Sequence, residues 1–190
     1  MKIEFIISSH KHPQHLMTIL SSLTSQTNDN WVAHVFADGV FDGYQKVKDY
    51  FKDDVRFKFT EIDGPSGDWG NTPRNIALKE LREEWVVMSG DDNYYTPVFV
   101  EQFLNQVIND NVHFVFCNMI HSHMGYTGVI NSMPMVNHID IGNFMSRSKF
   151  SSQLQINNKS TTGDGEFVEL YLRTFNGEIR HIPKVLYVHN

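Results

Sequence analysis

The sequence predicts an α/β fold: a single domain on a mainly parallel central sheet flanked by helices. Three observations predict it. Short apolar runs bounded by turn residues alternate with stretches of helical periodicity, the pattern of successive β-α units. The chain has 190 residues, enough for one domain with a real core. Its composition, 41% hydrophobic and 20% charged, is that of a globular protein rather than a disordered one.

The elements follow in order. Residues 3–8 are an apolar run ended by Ser8-Ser9-His10, a buried-strand pattern. Pro13 opens a helix whose Leu16, Ile19, Leu20 and Leu23 recur on one face. Residues 31–36 form a second strand, stopped by Ala37-Asp38-Gly39, and a helix follows at 44–51. In residues 55–59, Val55, Phe57 and Phe59 alternate with basic residues, which suggests a strand wet on one face. A glycine-rich loop at 64–70 leads to Thr72-Pro73, read as an N-cap and a proline at the first helical position.

Residues 85–88 are the next buried strand, broken by Ser89-Gly90-Asp91-Asp92-Asn93. Pro97 starts a helix bearing Phe99, Phe103, Val107 and Ile108, and residues 112–120 form another strand. A less regular stretch rich in glycine, histidine and methionine leads to the apolar segment 139–145. A last helix near 167–174 and two terminal strands complete the chain. No internal repeat, linker or low-complexity tract interrupts this order, which implies a doubly wound sheet.

Charge and composition narrow the function. A formal net charge of -6 gives no general attraction to nucleic acid or to an anionic membrane surface. An acidic protein that handles a phosphate ligand therefore needs local cations. The single cysteine, Cys117, lies in an apolar run and reads as a buried core thiol. The opening Met1-Lys2-Ile3-Glu4 does not resemble a signal peptide, and no apolar run approaches the roughly 20 residues that span a bilayer. A soluble, cytoplasmic protein is expected.

Chemistry collects where the strands end. Ligands of open α/β sheets bind beyond the carboxyl ends of the strands. There the sequence places Ser8-Ser9-His10, Asp38-Gly39, the 64–70 loop and Asp91-Asp92-Asn93. Adjacent carboxylates repel unless a cation offsets them, and hard oxygen ligands suit Mg²⁺ or Mn²⁺. Asp-Asp-Asn after a strand is equally good turn chemistry, so spacing alone leaves the choice open. Arg74 and Asn75 open a helix, a suitable place for a phosphate or carboxylate, although a surface arginine would read the same way. Asp38 can accept hydrogen bonds from a ligand or cap a turn.

The order of these motifs resembles the family 2 glycosyltransferases of the GT-A (Rossmann-like) fold. Ser8-Ser9-His10, the segment Ser22-Leu23-Thr24-Ser25-Gln26-Thr27 and Trp31 look like that family's opening. Ala37-Asp38-Gly39 with Asp42 resembles its nucleobase-contacting turn, Arg74-Asn75 its Ala-Arg-Asn, and the run from Asp91 to Pro97 its Asp-x-Asp loop. The match spans at least residues 3–104, with one departure: Gly90 stands where the first aspartate of Asp-x-Asp is usual.

The resemblance implies a metal-dependent transferase that moves a hexose from a nucleoside-diphosphate sugar to a glycan or small-molecule acceptor. The donor would be a UDP-sugar, with UDP-glucose expected from frequency within the family. Residues 1–104 would bind the donor and residues 105–190 the acceptor. Asp38 would recognise the base, Arg74 would approach the diphosphate, and Ser8, Ser9 and Asp91 would line the nucleotide site. Asp92 takes the metal position of Asp-x-Asp, with Mn²⁺ or Mg²⁺ as the ion. His189 matches a late histidine that reaches metal or diphosphate in some relatives. In the segment before the last helix, Asp164 would be the general base, with Glu166 in reserve; Asp164 could equally cap that helix.

Other candidates stay open at this point. His121 and His123 have a ligand-like spacing but read as a solvated pair. Trp69 either flanks the donor or packs in the core. Two rival functions remain: a nucleotide-sugar-binding scaffold without catalysis, and a sugar-phosphate nucleotidyltransferase. The latter usually carries a glycine-rich loop after its first strand, where this chain has Ser8-Ser9-His10-Lys11.

Overall fold

A computed structural model describes residues 1–190. The chain opens with β1 (Ile3–Ser9), α1 (Pro13–Thr24), β2 (Trp31–Asp38), α2 (Tyr44–Phe51), β3 (Phe57–Ile62), α3 (Asn71–Ala77) and β4 (Trp85–Gly90). It continues through β5 (Tyr94–Tyr95), α4 (Phe99–Leu104), β6 (Val112–His121), β7 (Val129–Ile130) and β8 (Phe144–Arg147). The last elements are α5 (Ser148–Ser151), α6 (Gly163–Thr174) and β9 (Glu178–His189).

All strands join one sheet in the order β3-β2-β1-β4-β8-β6-β9-β5, with β7 paired to β6. β1 pairs in parallel with β2 and β4, β2 with β3, and β6 with β9. β8 runs antiparallel to both β4 and β6, so β6 and β9 point the same way as β1 to β4. Six strands therefore bring their carboxyl ends to one rim, and only the short β5, β7 and β8 oppose them. That common direction places the site.

The alternation of side chains explains the two helical layers. Ile3, Phe5 and Ile7 of β1 face the larger core with Leu16, Ile19, Leu20 and Leu23 of α1, Val47 of α2 and Phe103 of α4. Ile6 faces the smaller core on the opposite side, with Val86 and Met88 of β4 and Phe167, Val168 and Tyr171 of α6. Cys117 is fully buried in the larger core, as its apolar run predicts. No helix is long and apolar enough to cross a membrane.

Several element ends differ from the sequence expectation, each for a local reason. β3 starts at Phe57, leaving Val55 97% exposed, because Asp54 closes a turn with the Arg56 and Phe57 N–H groups. Thr72 is not an N-cap but the second residue of α3. Asp68 Oδ2 accepts its N–H at 2.9 Å and its hydroxyl at 2.7 Å, so the cap comes from the preceding loop. α4 stops at Leu104, and Ile108 is 67% exposed beyond it. Of residues 139–145 only Phe144 and Met145 are in a strand; Ile139 and Ile141 reach the smaller core from a loop. The two terminal strands are one, β9, whose pairing with β6 shifts register around Pro183, a residue with no N–H to give. α6 begins earlier than expected, at Gly163, and the four-residue α5 carries no periodicity to announce it.

Candidate functional site

The carboxyl ends of β1, β2 and β4 deliver Ser8, Ser9, Asp38, Asp91 and Asp92 to one cleft of about 400 Å³, which Arg74 and His189 also line. Seven of the residues expected at the donor and metal sites are thus brought together. A smaller adjoining cavity shares the Trp69, Arg74 and His189 walls and reaches Asp164 and Asp140. A further cavity of about 350 Å³ then lies among His121, His123, Asp140 and Asp164.

Each group is held by its element. Asp91 is buried and accepts the Ser9 hydroxyl at 2.6 Å and the His10 N–H at 3.1 Å. Burial raises its pKa, and these two hydrogen bonds work against the rise. Asp38 is buried too; its carboxylate accepts the Ser66 N–H at 3.0 Å and hydroxyl at 2.8 Å, which ties the end of β2 to the glycine-rich loop. Ser8 donates to the Ser89 carbonyl at 3.3 Å. Gly70, at φ +80°, brings its backbone so close to Ser8 that a Cβ there would overlap the serine hydroxyl.

Arg74 is a buried guanidinium on the inner face of α3. Its Nη1 donates to the Trp69 carbonyl at 2.8 Å and to Asn71 Oδ1 at 3.2 Å, and Nε to the Ser89 carbonyl at 3.4 Å. Nη2 makes no hydrogen bond within the chain. Burial opposes its charge, and Asp140, Asp164 and Asp92 among its neighbours support it. Trp69 is 63% exposed, so it forms the cleft wall rather than core.

Asp92 differs from its neighbour: no group of the chain donates a hydrogen bond to it. A Cβ on Gly90 would stand 2.9 Å from Asp92 Oδ1, so the glycine at that position leaves room for the carboxylate. A carboxylate without a partner beside a histidine on one cleft is a donor set that fits a divalent cation.

His189 sits at the end of β9 and Asp140 in the loop before β8. Nδ1 of His189 is 3.1 Å from Asp140 Oδ2, while Asp140 Oδ1 accepts the Tyr187 hydroxyl at 2.5 Å and the Gly142 N–H at 3.0 Å. Burial alone would raise the Asp140 pKa, but His189, Tyr187 and Gly142 together hold it down at about 2. Burial would lower that of His189; its bond to Asp140 outweighs this, and the pKa is raised.

His121 ends β6 in register with His189 on the parallel β9, and their rings stack at 4.1 Å. Burial first, then His189 and His123, lower its pKa. The expectation of a solvated histidine pair therefore misses its nearer neighbour. Asp140 and Tyr187 have no sequence signal that marks them; only strand register and one loop bring them here.

Asp164 is the second residue of α6, after its N-cap Thr162, so it does not hold the capping position. Burial, then the nearby Asp140, push its carboxyl up to about 6. Glu166 lines none of these cavities. It binds Ser160, the Thr162 hydroxyl at 3.0 Å and Asn157 at 3.0 Å, and so fastens the start of α6.

A mainly parallel sheet that gathers acidic and basic groups on its carboxyl rim, with a late histidine beside them, is the arrangement of a GT-A fold. The chain belongs to glycosyl transferase family 2, whose profile matches residues 4–179. An uncharacterized glycosyltransferase of Haemophilus influenzae is 25% identical over 130 residues, 65% of this chain and 42% of that protein. TarS 1-349 of S. aureus superimposes with a TM-score of 0.82 at 18% identity, covering 100% of this chain and 60% of that one. A structure of it in complex with UDP-GlcNAc gives 0.80 at 19% identity, covering 100% and 59%. The mannosyltransferase PcManGT from Pyrobaculum calidifontis, in complex with GDP-Man and Mn²⁺, gives 0.78 at 13% identity, covering 98% and 56%. The chain thus spans 42–60% of the length of these proteins.

Proposed function

We propose that the chain transfers a hexose from a nucleoside-diphosphate sugar, read as a UDP-sugar with UDP-glucose tested first, to a hydroxyl acceptor. The observation that carries this reading is a pair of adjoining cavities that share Trp69, Arg74 and His189, one lined by Asp38 and Asp92 and the other by Asp164. The first is built almost wholly from residues 1–104, and the cavity beyond Asp164 from residues 105–190. That division supports a donor half and an acceptor half in a single domain. A cytoplasmic place of action belongs to the same proposal.

Asp38 orients the base, and Ser8, Ser9 and Asp91 frame the nucleotide. Arg74 offers its unpartnered Nη2 to a phosphate oxygen. Asp92 and His189 would hold the cation, Mn²⁺ or Mg²⁺, which supplies charge neutralisation at the leaving diphosphate when bound. Asp164 takes the proton of the acceptor hydroxyl as that oxygen bonds to the anomeric carbon and the bond to the diphosphate breaks. Glu166 is kept only as the residue that fixes the helix beneath Asp164.

Gly90, in place of the first aspartate of Asp-x-Asp, favours one competing reading: a domain that binds nucleotide sugar without turning it over. A thermal-shift series with UDP, UDP-sugars and GDP-sugars, with Mn²⁺ or chelator, followed by assay of donor hydrolysis and transfer, tests both. Metal-dependent stabilisation by UDP with turnover supports transfer. Stabilisation without turnover supports the binder. No response to any nucleotide defeats both readings.

A further inference from the structure

We propose that Trp69 is the platform on which the transferred hexose stacks, so that one face of the sugar ring, and not the nucleotide alone, decides which donor is held. The inference rests on the proposed donor reading and adds to it the side chain that recognises the sugar.

Three observations meet at this residue. Trp31 and Trp85 are 0% exposed, whereas the Trp69 indole is 63% exposed and joins neither hydrophobic core. Its backbone is left-handed, at φ +59°, which a bulky residue seldom adopts and which persists only where the surroundings impose it. Those surroundings grip the main chain on both sides. Asp68 accepts the Thr72 N–H at 2.9 Å and hydroxyl at 2.7 Å, and Gly70 lies so close to Ser8 that a Cβ would overlap its hydroxyl. The Trp69 carbonyl accepts Arg74 Nη1 at 2.8 Å. The backbone is thus fixed while the indole is left to the cleft.

The third observation is place. Trp69 is a shared wall of the cavity lined by Asp38 and Asp92 and of the smaller one lined by Asp164, and no other Phe, Tyr or Trp lines either. In transfer, the anomeric carbon lies between the diphosphate that leaves it and the hydroxyl oxygen that Asp164 deprotonates. The hexose ring then occupies the junction, beside the indole. A flat ring with a negative face suits the C–H groups of a pyranose face, while the polar groups around it suit the sugar's hydroxyl edge. A hexopyranose that presents a face of C–H groups is favoured. An axial hydroxyl on that face would be pressed against the indole without a partner.

Because the other two tryptophans are buried, acrylamide quenching of the intrinsic fluorescence reports chiefly on Trp69. The full chain with Mn²⁺ is quenched in the presence of UDP, UDP-glucose, UDP-galactose or UDP-GlcNAc, with a thermal shift to show which of them is bound. A bound UDP-hexose should protect the fluorescence, and UDP should not. By calorimetry, Trp69→Ala should weaken that UDP-hexose about tenfold and leave UDP unchanged, with Trp69→Phe restoring part of the loss. Both variants keep the residue's main-chain carbonyl for Arg74, and Arg74→Ala should instead weaken UDP and UDP-hexose alike. Equal protection by UDP and UDP-hexose, no protection by a bound UDP-hexose, or equal losses for the two ligands in Trp69→Ala would each overturn the platform and leave the donor reading standing. No thermal response to any nucleotide would defeat the donor reading and the platform with it.

Discussion

Nδ1 of His189 stands 3.1 Å from Oδ2 of Asp140, and this pair fastens the last strand to the loop that closes the cleft. The contact is buried on the Asp140 side and backed by Tyr187. Its worth should depend on pH. Asp140 titrates at about 2 when folded against an ordinary value of 3.8, so its contribution is complete above the ordinary value. It is lost as pH falls through about 2. Asp140→Asn should cost on the order of 2 kcal/mol near neutral pH and much less in acid. Denaturant unfolding at several pH values checks this, and a pH-independent loss would show that Asp140 acts through packing alone.

Gly90 and Asp92 make a second prediction. A Cβ at position 90 would stand 2.9 Å from Asp92 Oδ1. Gly90→Ala should therefore leave stability within about 1 kcal/mol, since the backbone there needs no left-handed conformation. The Mn²⁺-dependent part of stabilisation by UDP should shrink, as it should more completely in Asp92→Asn. Identical metal-dependent shifts in wild type and both variants would remove Asp92 from the metal's surroundings.

Arg74 has two jobs that can be separated. Its Nε and Nη1 tie α3 to the Ser89 and Trp69 carbonyls, while Nη2 is unpartnered in the cleft. Arg74→Ala should lower stability by roughly 1–3 kcal/mol through the groups left unpaired. It should also weaken UDP binding by roughly 1.5–3 kcal/mol, the scale of a hydrogen bond to a charged group. Uridine has no phosphates and should lose little. Calorimetry with both ligands decides: equal losses would make Arg74 purely structural.

The sequence makes the amino-terminal half legible because periodicity and motif agree there. Leu16, Ile19, Leu20 and Leu23 are all buried on one face of α1, and Asp38, Arg74, Asp91 and Asp92 fall on one cleft. Element ends depart from the pattern where a single side chain overrides it, as Asp54 does at Val55 and Asp68 at Thr72. The second half resists reading for a different reason. Asp140 and His121 meet His189 through the register of β6 with β9 and a loop, and no local spacing encodes either. Pro183 hides the continuity of β9, since a proline between two strand-like segments reads as a break.

Asp164 sits in an environment that suits a base. Burial and Asp140 raise its carboxyl to about 6, so it is ionised at neutral pH yet more basic than an ordinary aspartate. Transfer should fall as pH drops through about 6. Its effect on stability has the opposite sign from that of Asp140. A raised folded pKa favours the protonated form, so ionising Asp164 costs stability as pH rises from 3.8 to about 6. Asp164→Asn removes that cost, and at neutral pH the variant should unfold no earlier than wild type. Its transfer rate should nonetheless fall by about 10²–10⁴, with UDP-sugar binding kept. An inverting reaction needs this base opposite the leaving group, whereas in a retaining one the departing phosphate can accept the proton itself. Turnover of the variant is therefore read beside the anomeric configuration of the product by NMR. Inversion with a crippled variant places the acceptor's proton on Asp164. Retention, or near-normal turnover by Asp164→Asn, would leave its raised pKa as a consequence of crowding next to Asp140 and take the base out of the mechanism.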